Sequence, residues 1–429
     1  MKNKNAIFLL FLSNIVSGLA QGISMLAIPW YFAQISETNF FLFWYLIITA
    51  LTLFWGIYAG TLVDRYSRKR IFIILNLICG TIIGSIGFYG MYYNLETDFP
   101  KILVVFVFGI TIFNYNVHYP NLYAFGQEIT ERKNYGKLNS YIEIQGQVTS
   151  VLAGAFAAIL LTGTKNNILE IAGITIPIPF NIIKWNIYEI FLLDAFTYLI
   201  VIIIFFLIKY ERVSKEKMNL DGFFSRLKGG FFFLKENQTI FVFGIVSYML
   251  FAFTLVEIHV LLPDYVKNFL MKEGDVFASA EIYYSFGAIF SGLLILRLFK
   301  NVSVVNSVII LMIWSSISYF FLSQYNYIWI FFLANFIIGI TNAGVRILRT
   351  TFIFNHVPNN LIGRTNSVFG TLNIVVRMLL IGLISIPFFQ INDNIKYGFL
   401  IGLFLMIFSI IILLFWSKKV NKMEKDVSQ

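Results

Sequence analysis

The stretch Gly60-Thr61-Leu62-Val63-Asp64-Arg65-Tyr66-Ser67-Arg68-Lys69-Arg70 decides how this chain is read. It crowds one acid and four cations into the short join between two apolar runs, residues 40–63 and 71–93. Each run is long enough to cross about 30 Å of hydrocarbon as a helix. One reading of the join is a basic turn that merely ends a span. The other is a built charge cluster, and the rest of the chain decides between them.

Outward from this point the 429 residues are 58% hydrophobic and 13% charged, against roughly 25% charged in a soluble domain. That excludes a water-soluble globule, and 48 Phe with only 8 Pro exclude disorder and collagen-like repeats. Twelve apolar runs are long enough to span: 6–34, 40–63, 71–93, 102–126, 136–163, 188–208, 238–263, 277–296, 303–323, 327–351, 366–389 and 397–416. They must be helices, because a backbone in lipid has to satisfy its own hydrogen bonds and the runs lack the alternation of barrel strands. The first follows Lys2 and Lys4 and outlasts a signal-peptide core, so it is read as retained. The expected fold is an all-α polytopic membrane protein.

Placing both termini in the cytoplasm assigns 25 of the 32 Lys and Arg to cytoplasmic ends and loops, Arg346 and Arg349 among them. Six fall outside, and only Arg377 is assigned deep within a span. This asymmetry sets orientation. It also explains the net charge of +10 as orientation and contact with anionic membrane lipids, with no nucleic-acid partner.

The longest charged stretch divides the spans six and six. The expected organisation is an N-terminal six-helix bundle (1–208), a cytoplasmic linker (209–236), a C-terminal six-helix bundle (237–416) and a cytoplasmic tail (417–429). Within the linker, Phe223 to Leu234 mixes aromatics with Arg226 and Lys228, as either an interfacial helix or a solvated connection would. The halves share local patterns. Gly136-Lys137-Leu138-Asn139-Ser140 precedes span five and Gly363-Arg364-Thr365-Asn366-Ser367 precedes span eleven, while Gly60, Arg65 and Arg68 are echoed by Gly292, Arg297 and Lys300. Such echoes mark a duplicated transporter fold of two pseudo-symmetric bundles.

The opening stretch resembles motif A of the major facilitator superfamily, Gly-x-Leu-x-Asp-Arg-x-Gly-Arg-(Arg or Lys), at every defined position except Ser67, which stands where the second Gly belongs. On this reading Gly60 permits close helix approach, Asp64 faces the positive end of a neighbouring helix, and Arg68 holds that carboxylate. Asp64, Arg65 and Arg68, with Gly363 and Arg364 in the second half, would form the inner gate. Val357-Pro358 with Gly363-Arg364, the segment Leu193-Asp194-Ala195-Phe196-Thr197-Tyr198, and Glu281 resemble the macrolide-type drug exporters of that superfamily. The resemblance implies proton-coupled export of small amphipathic molecules by a monomer in a bacterial cytoplasmic membrane. Two features depart from it: the proline-containing glycine motif of span five is absent, and the outer loop 163–188 is long, its Ile174-Thr175-Ile176-Pro177-Ile178-Pro179-Phe180 core resembling a β- or interface-prone flap.

Ionisable groups inside spans cost several kcal/mol unless paired or wetted. Those expected are Glu143, Asp194, Glu257, Glu281 and Arg377, each a candidate for proton coupling or substrate contact, or else a bond between helices. His259, two residues beyond Glu257, points to another helix face, and His118 reads as a satisfied polar residue. Tyr31, Trp55, Tyr115 and Tyr248 are candidates for stacking on a substrate or for plain packing. The chain has one cysteine, Cys79, and three separated histidines, so no disulfide or metal site is expected. No phosphate-binding Gly-x-x-x-x-Gly-Lys motif or catalytic constellation occurs. The expectation is a carrier driven by an ion gradient, without cofactor and not an enzyme. Rival readings are export of an anionic or zwitterionic natural product such as a metallophore, and a non-transporting receptor or lipid-handling protein on the same fold.

Overall fold

The computed structural model describes residues 4–92, 98–131, 134–164, 166–209, 223–391 and 393–428. Side chains at 56–61, 63–65, 98–99, 135–137, 139, 223–226, 359–360 and 426–428 are outside the description. Among the described residues, twelve helices are long and apolar enough to cross a membrane. The helices are α1 (Lys4–Gln34), α2 (Thr38–Arg65), α3 (Arg68–Tyr92), α4 (Asp98–Glu128), α5 (Tyr135–Thr162), α6 (Ile187–Leu207), α7 (Phe223–Glu236), α8 (beginning Gln238–Val256), α9 (Gly274–Leu298), α10 (Val304–Gln324), α11 (Ile328–His356), α12 (Asn359–Ile384) and α13 (Gly398–Ser428). The chain divides into two compact units, Met1–Met218 with Glu273–Ile282, and Asn219–Lys272 with Tyr283–Gln429.

In the first unit α6 starts at a capping box. Asn186 accepts from the backbone of Tyr188 and Glu189, while Glu189 accepts from the Asn186 N–H. Its apolar face meets α3 and α4 around Phe72, Phe125 and Phe205, with the Phe72 and Phe205 rings stacked 4.5 Å apart. The fold is helical as expected, with one small addition: Ile168–Ile171 and Ile174–Pro177 form an antiparallel hairpin, β1 and β2. The β-prone flap thus supplies β2. The turn residues Ala172 and Gly173 both have positive φ, the twist that a two-residue hairpin loop requires. The Ala172 N–H donates to Ser279 Oγ at 2.9 Å, fastening the turn to the first residues of α9. Those residues are held again where Asp275 N–H donates to Thr162 Oγ1 at 2.8 Å and where Phe277 stacks on Trp30 at 5.6 Å.

In the second unit α8 continues past Val256 through two π-helical turns, Glu257–Leu261 and Tyr265–Phe269, on either side of Pro263. Proline has no N–H to give the helical ladder, and a wider turn is one way a helix absorbs that gap. Backbones of α9 and α11 meet at Gly287 and Gly339, where a Cβ would stand 2.1 Å from Phe336 O and 2.0 Å from Tyr284 O. The linker segment from Phe223 is helical, α7, and is seated on the start of α12: a Cβ on Gly230 would meet Arg364 O at 2.4 Å. The tail is helical as well, continuing α13 to Ser428. No Pro or Gly follows Gly402 to break it, and Glu424 accepts from the Val304 N–H at 3.1 Å.

Candidate functional site

Polar side chains of the first unit lie in register on two helices. On α1 they are Asn14, Ser17, Gln21 and Ser24, at spacings of three or four residues that put them on one face. On α4 they are Asn114, His118 and Asn121. All seven are buried. His118 Nε2 meets Asn14 Oδ1 at 2.8 Å, as a satisfied core histidine should. Asn114 donates to Tyr198 Oη at 3.1 Å, and Asn121 donates to the Arg68 carbonyl at 2.9 Å.

Asp194 of α6 is fully buried in this polar interior. Ser24 donates to its Oδ2 at 3.2 Å, and its Oδ1 has no hydrogen-bond partner among the described residues. Tyr115 lies within electrostatic range of both Asp194 and Glu281, so the structure gathers three of the residues expected from sequence. Glu143 is elsewhere, exposed on α5 and accepting from Tyr123 Oη at 3.0 Å. Arg68 is buried and ion-paired with Glu128, the last residue of α4, at 3.5 Å. Nothing in the sequence singles out Glu128. The side chains of Asp64 and Arg65, and the packing at Gly60, lie outside the described residues. Gly363 is exposed, with nothing within 4 Å of where a Cβ would stand.

Glu257 is the buried carboxylate of the second unit, placed at the first π turn of α8. Tyr319 of α10 donates to its Oε2 at 3.4 Å, and Oε1 is without a partner among the described residues. His259 has a different neighbour, lying within electrostatic range of Arg377 on α12. Its Nδ1–H bonds to Leu255 O at 2.8 Å. Arg377 is half-buried, and its buried Nε has no acceptor among the described residues.

Arg349 departs from the charge distribution expected from sequence, which places it with the cytoplasmic cations. It is only 4% exposed. Its guanidinium carbon lies 3.5 Å from the centre of the Tyr248 ring, and Nη1 donates to Ser247 O at 3.0 Å. Helix α11 runs through His356, so Arg349 stays inside the bundle, where an aromatic face and a carbonyl take the place of water. Tyr248 is therefore covered on one face. Trp55 is a packing residue, its Nε1–H donating to Phe113 O at 3.3 Å. Tyr31 lines a cavity of about 270 Å³ with Trp30, Gln34, Leu161, Lys184 and Tyr188. The sequence does carry a signal for the polar face of α1, the spacing from Asn14 to Ser24. It carries none for Tyr319 or Glu128, which become partners only through packing.

The sequence model of the Major Facilitator Superfamily matches residues 10–381. Comparison with curated proteins gives no match. Among solved structures, a bacterial metal transporter is similar with a TM-score of 0.66 at 13% identity, covering 97% of this chain and 99% of that one. The nucleoside transporter NupG is similar with 0.66 at 15%, covering 96% and 98%. A D-xylose-proton symporter gives 0.65 at 12%, covering 95% and 97%. At these identities the likeness is one of fold.

Proposed function

The chain belongs to the Major Facilitator Superfamily and is a multi-pass membrane transporter, not an enzyme; from that premise we propose that it exports small amphipathic molecules in exchange for protons, in the manner of the macrolide-type exporters it resembles. The observation that carries this reading is the pair Asp194 and Glu257. Each is fully buried, held by one hydroxyl, and has a second oxygen with no partner among the described residues. No cation among the described residues is paired with either. An ionised carboxylate left that way in a bundle is costly, and binding a proton removes the charge. A carrier that loads and unloads a proton once per cycle needs such a group, wetted in one state and enclosed in another. Gly60, Asp64, Arg65 and Arg68, with Gly363 and Arg364, form the gate on the cytoplasmic side in this reading, and both termini lie in the cytoplasm of a bacterial cell. The Arg68–Glu128 pair supports a charge cluster at that end of the first bundle.

The deciding experiment is transport in proteoliposomes under an imposed pH gradient, with cationic, neutral and anionic amphiphiles. Gradient-dependent movement of at least one compound, lost in Asp194→Asn or Glu257→Gln, is the expected result. Movement of none, with tight binding of one, overturns it in favour of a receptor. A second reading, export of an anionic or zwitterionic natural product such as a metallophore, is favoured by Arg377, an embedded cation with no counterion among the described residues.

A further inference from the structure

We propose that Arg377 is the docking point for a carboxylate or sulfonate on the molecule this transporter carries. The inference rests on the transport reading above and specifies the chemistry of the cargo.

Arg377 lies seven residues before the end of α12 at Ile384, about 10 Å from that end at 1.5 Å per residue. A charge at such depth calls for compensation, and the two buried arginines have it. Arg68 has Glu128, and Arg349 has the Tyr248 ring and Ser247 O. Arg377 is the exception: among the described residues it makes neither an ion pair nor a hydrogen bond.

Its position is defined by its own helix face. Asn366, Asn373 and Arg377 recur at seven- and four-residue intervals, one stripe along the helix. Asn373 shows where that stripe points, for its Nδ2 donates to Tyr248 O of α8 at 3.4 Å. Further along α8 lies the π turn Glu257–Leu261 that carries His259. Such turns widen a helix and re-aim side chains, and they recur at functional sites. The bond from His259 Nδ1–H to Leu255 O fixes its ring within electrostatic range of Arg377, whose guanidinium fork is flanked in sequence by Val376, Met378 and Leu379. A fork of parallel N–H groups is complementary to a planar carboxylate or to two sulfonate oxygens. Neutralising Arg377 with cargo makes occupancy itself the source of the missing compensation.

The test uses the full-length protein in detergent, with no gradient. The probes are dansylaminoundecanoate, a fluorescent anionic amphiphile, and its uncharged primary amide, read against protein-free micelles. The wild type should bind the acid more tightly than the amide, by roughly ten- to a hundredfold. Arg377→Gln should erase that preference while amide binding and the melting temperature stay unchanged. Arg377→Lys, which keeps the charge and loses the fork, should reduce the preference at least several-fold, and it serves where the Gln variant does not fold. Equal binding of acid and amide by the wild type overturns the proposal, as does an undiminished preference in either variant. Acid binding without gradient-driven movement leaves the docking point standing and overturns the coupling. Proton-driven movement of neutral compounds with no preference for the acid does the reverse.

Discussion

Asp194 in the first unit and Glu257 in the second are the same chemical problem, a carboxylate enclosed among helices, met in different surroundings. Asp194 sits on a regular helix amid two facing rows of amides, hydroxyls and an imidazole. Glu257 has one tyrosine and stands where its helix changes pitch ahead of Pro263. The buried arginines divide the same way: Arg68 has an acid for a partner, whereas Arg349 has an aromatic face and a carbonyl. The first unit compensates its buried charge with a polar interior. The second gives Arg349 two neutral partners, the ring and the carbonyl, so removing one leaves the other.

The largest expected effect comes from the carboxylates. Asp194→Asn and Glu257→Gln should each reduce pH-gradient-driven transport in proteoliposomes by about a hundredfold or more, the lower end of the range for losing a positioned proton-transfer group. Counterflow exchange, which needs no net proton movement, should survive. If only one variant loses gradient coupling, the two sites are not equivalent and the role belongs to that unit alone.

Among stability effects, Glu128→Gln ranks next. It removes the acid from the buried Arg68, which is left with its bond to Tyr66 O at 3.3 Å, and breaking a buried pair costs about 3 kcal/mol or more, to be read as a lower unfolding midpoint. Tyr248→Leu should cost less, roughly 2 kcal/mol, the value of a desolvated cation–π contact, because Arg349 keeps its bond to Ser247 O. A reversed order would refute the contrast drawn between the two units. Smaller again is Ser279→Ala, which deletes the acceptor for the hairpin turn. About 1 kcal/mol is expected, with faster hydrogen exchange at Ala172 and little change in β1 and β2. Smallest is Gly363→Ala: nothing lies within 4 Å of the added Cβ, and alanine is the better helix former by up to about 1 kcal/mol. The melting temperature should hold or rise slightly, whereas Gly230→Ala on the facing helix, aimed at Arg364 O, should lower it.

Much of the fold is legible in residue type and spacing. A run of apolar residues at a membrane's thickness has one stable form, so twelve spans can be counted from composition alone. The ends are less secure. Span ten extends to His356 and the tail stays helical through Ser428, because charge marks where a helix leaves lipid and not where it stops. Arg349, seven residues before His356, is enclosed by protein, which charge alone does not reveal. The hairpin is half visible, as a β-prone segment whose partner strand, Ile168–Ile171, has no comparable sign. Asp194 and Glu257 are visible as acids in apolar runs, while Ser24 and Tyr319 are ordinary residues until packing places them against those acids.

Taken by itself, the sequence determined membrane residence, the twelve helices, the charge asymmetry and the family, since each follows from residue type and spacing along one chain. Only the tertiary structure decided which embedded charges are compensated. It paired Arg68 with Glu128 sixty residues away in sequence, laid Arg349 on Tyr248, and left Arg377 with no counterion among the described residues. The physical reason is that a charge in hydrocarbon is settled by atoms within a few ångströms, and those neighbours come from other helices, whose rotation and depth no single helix encodes.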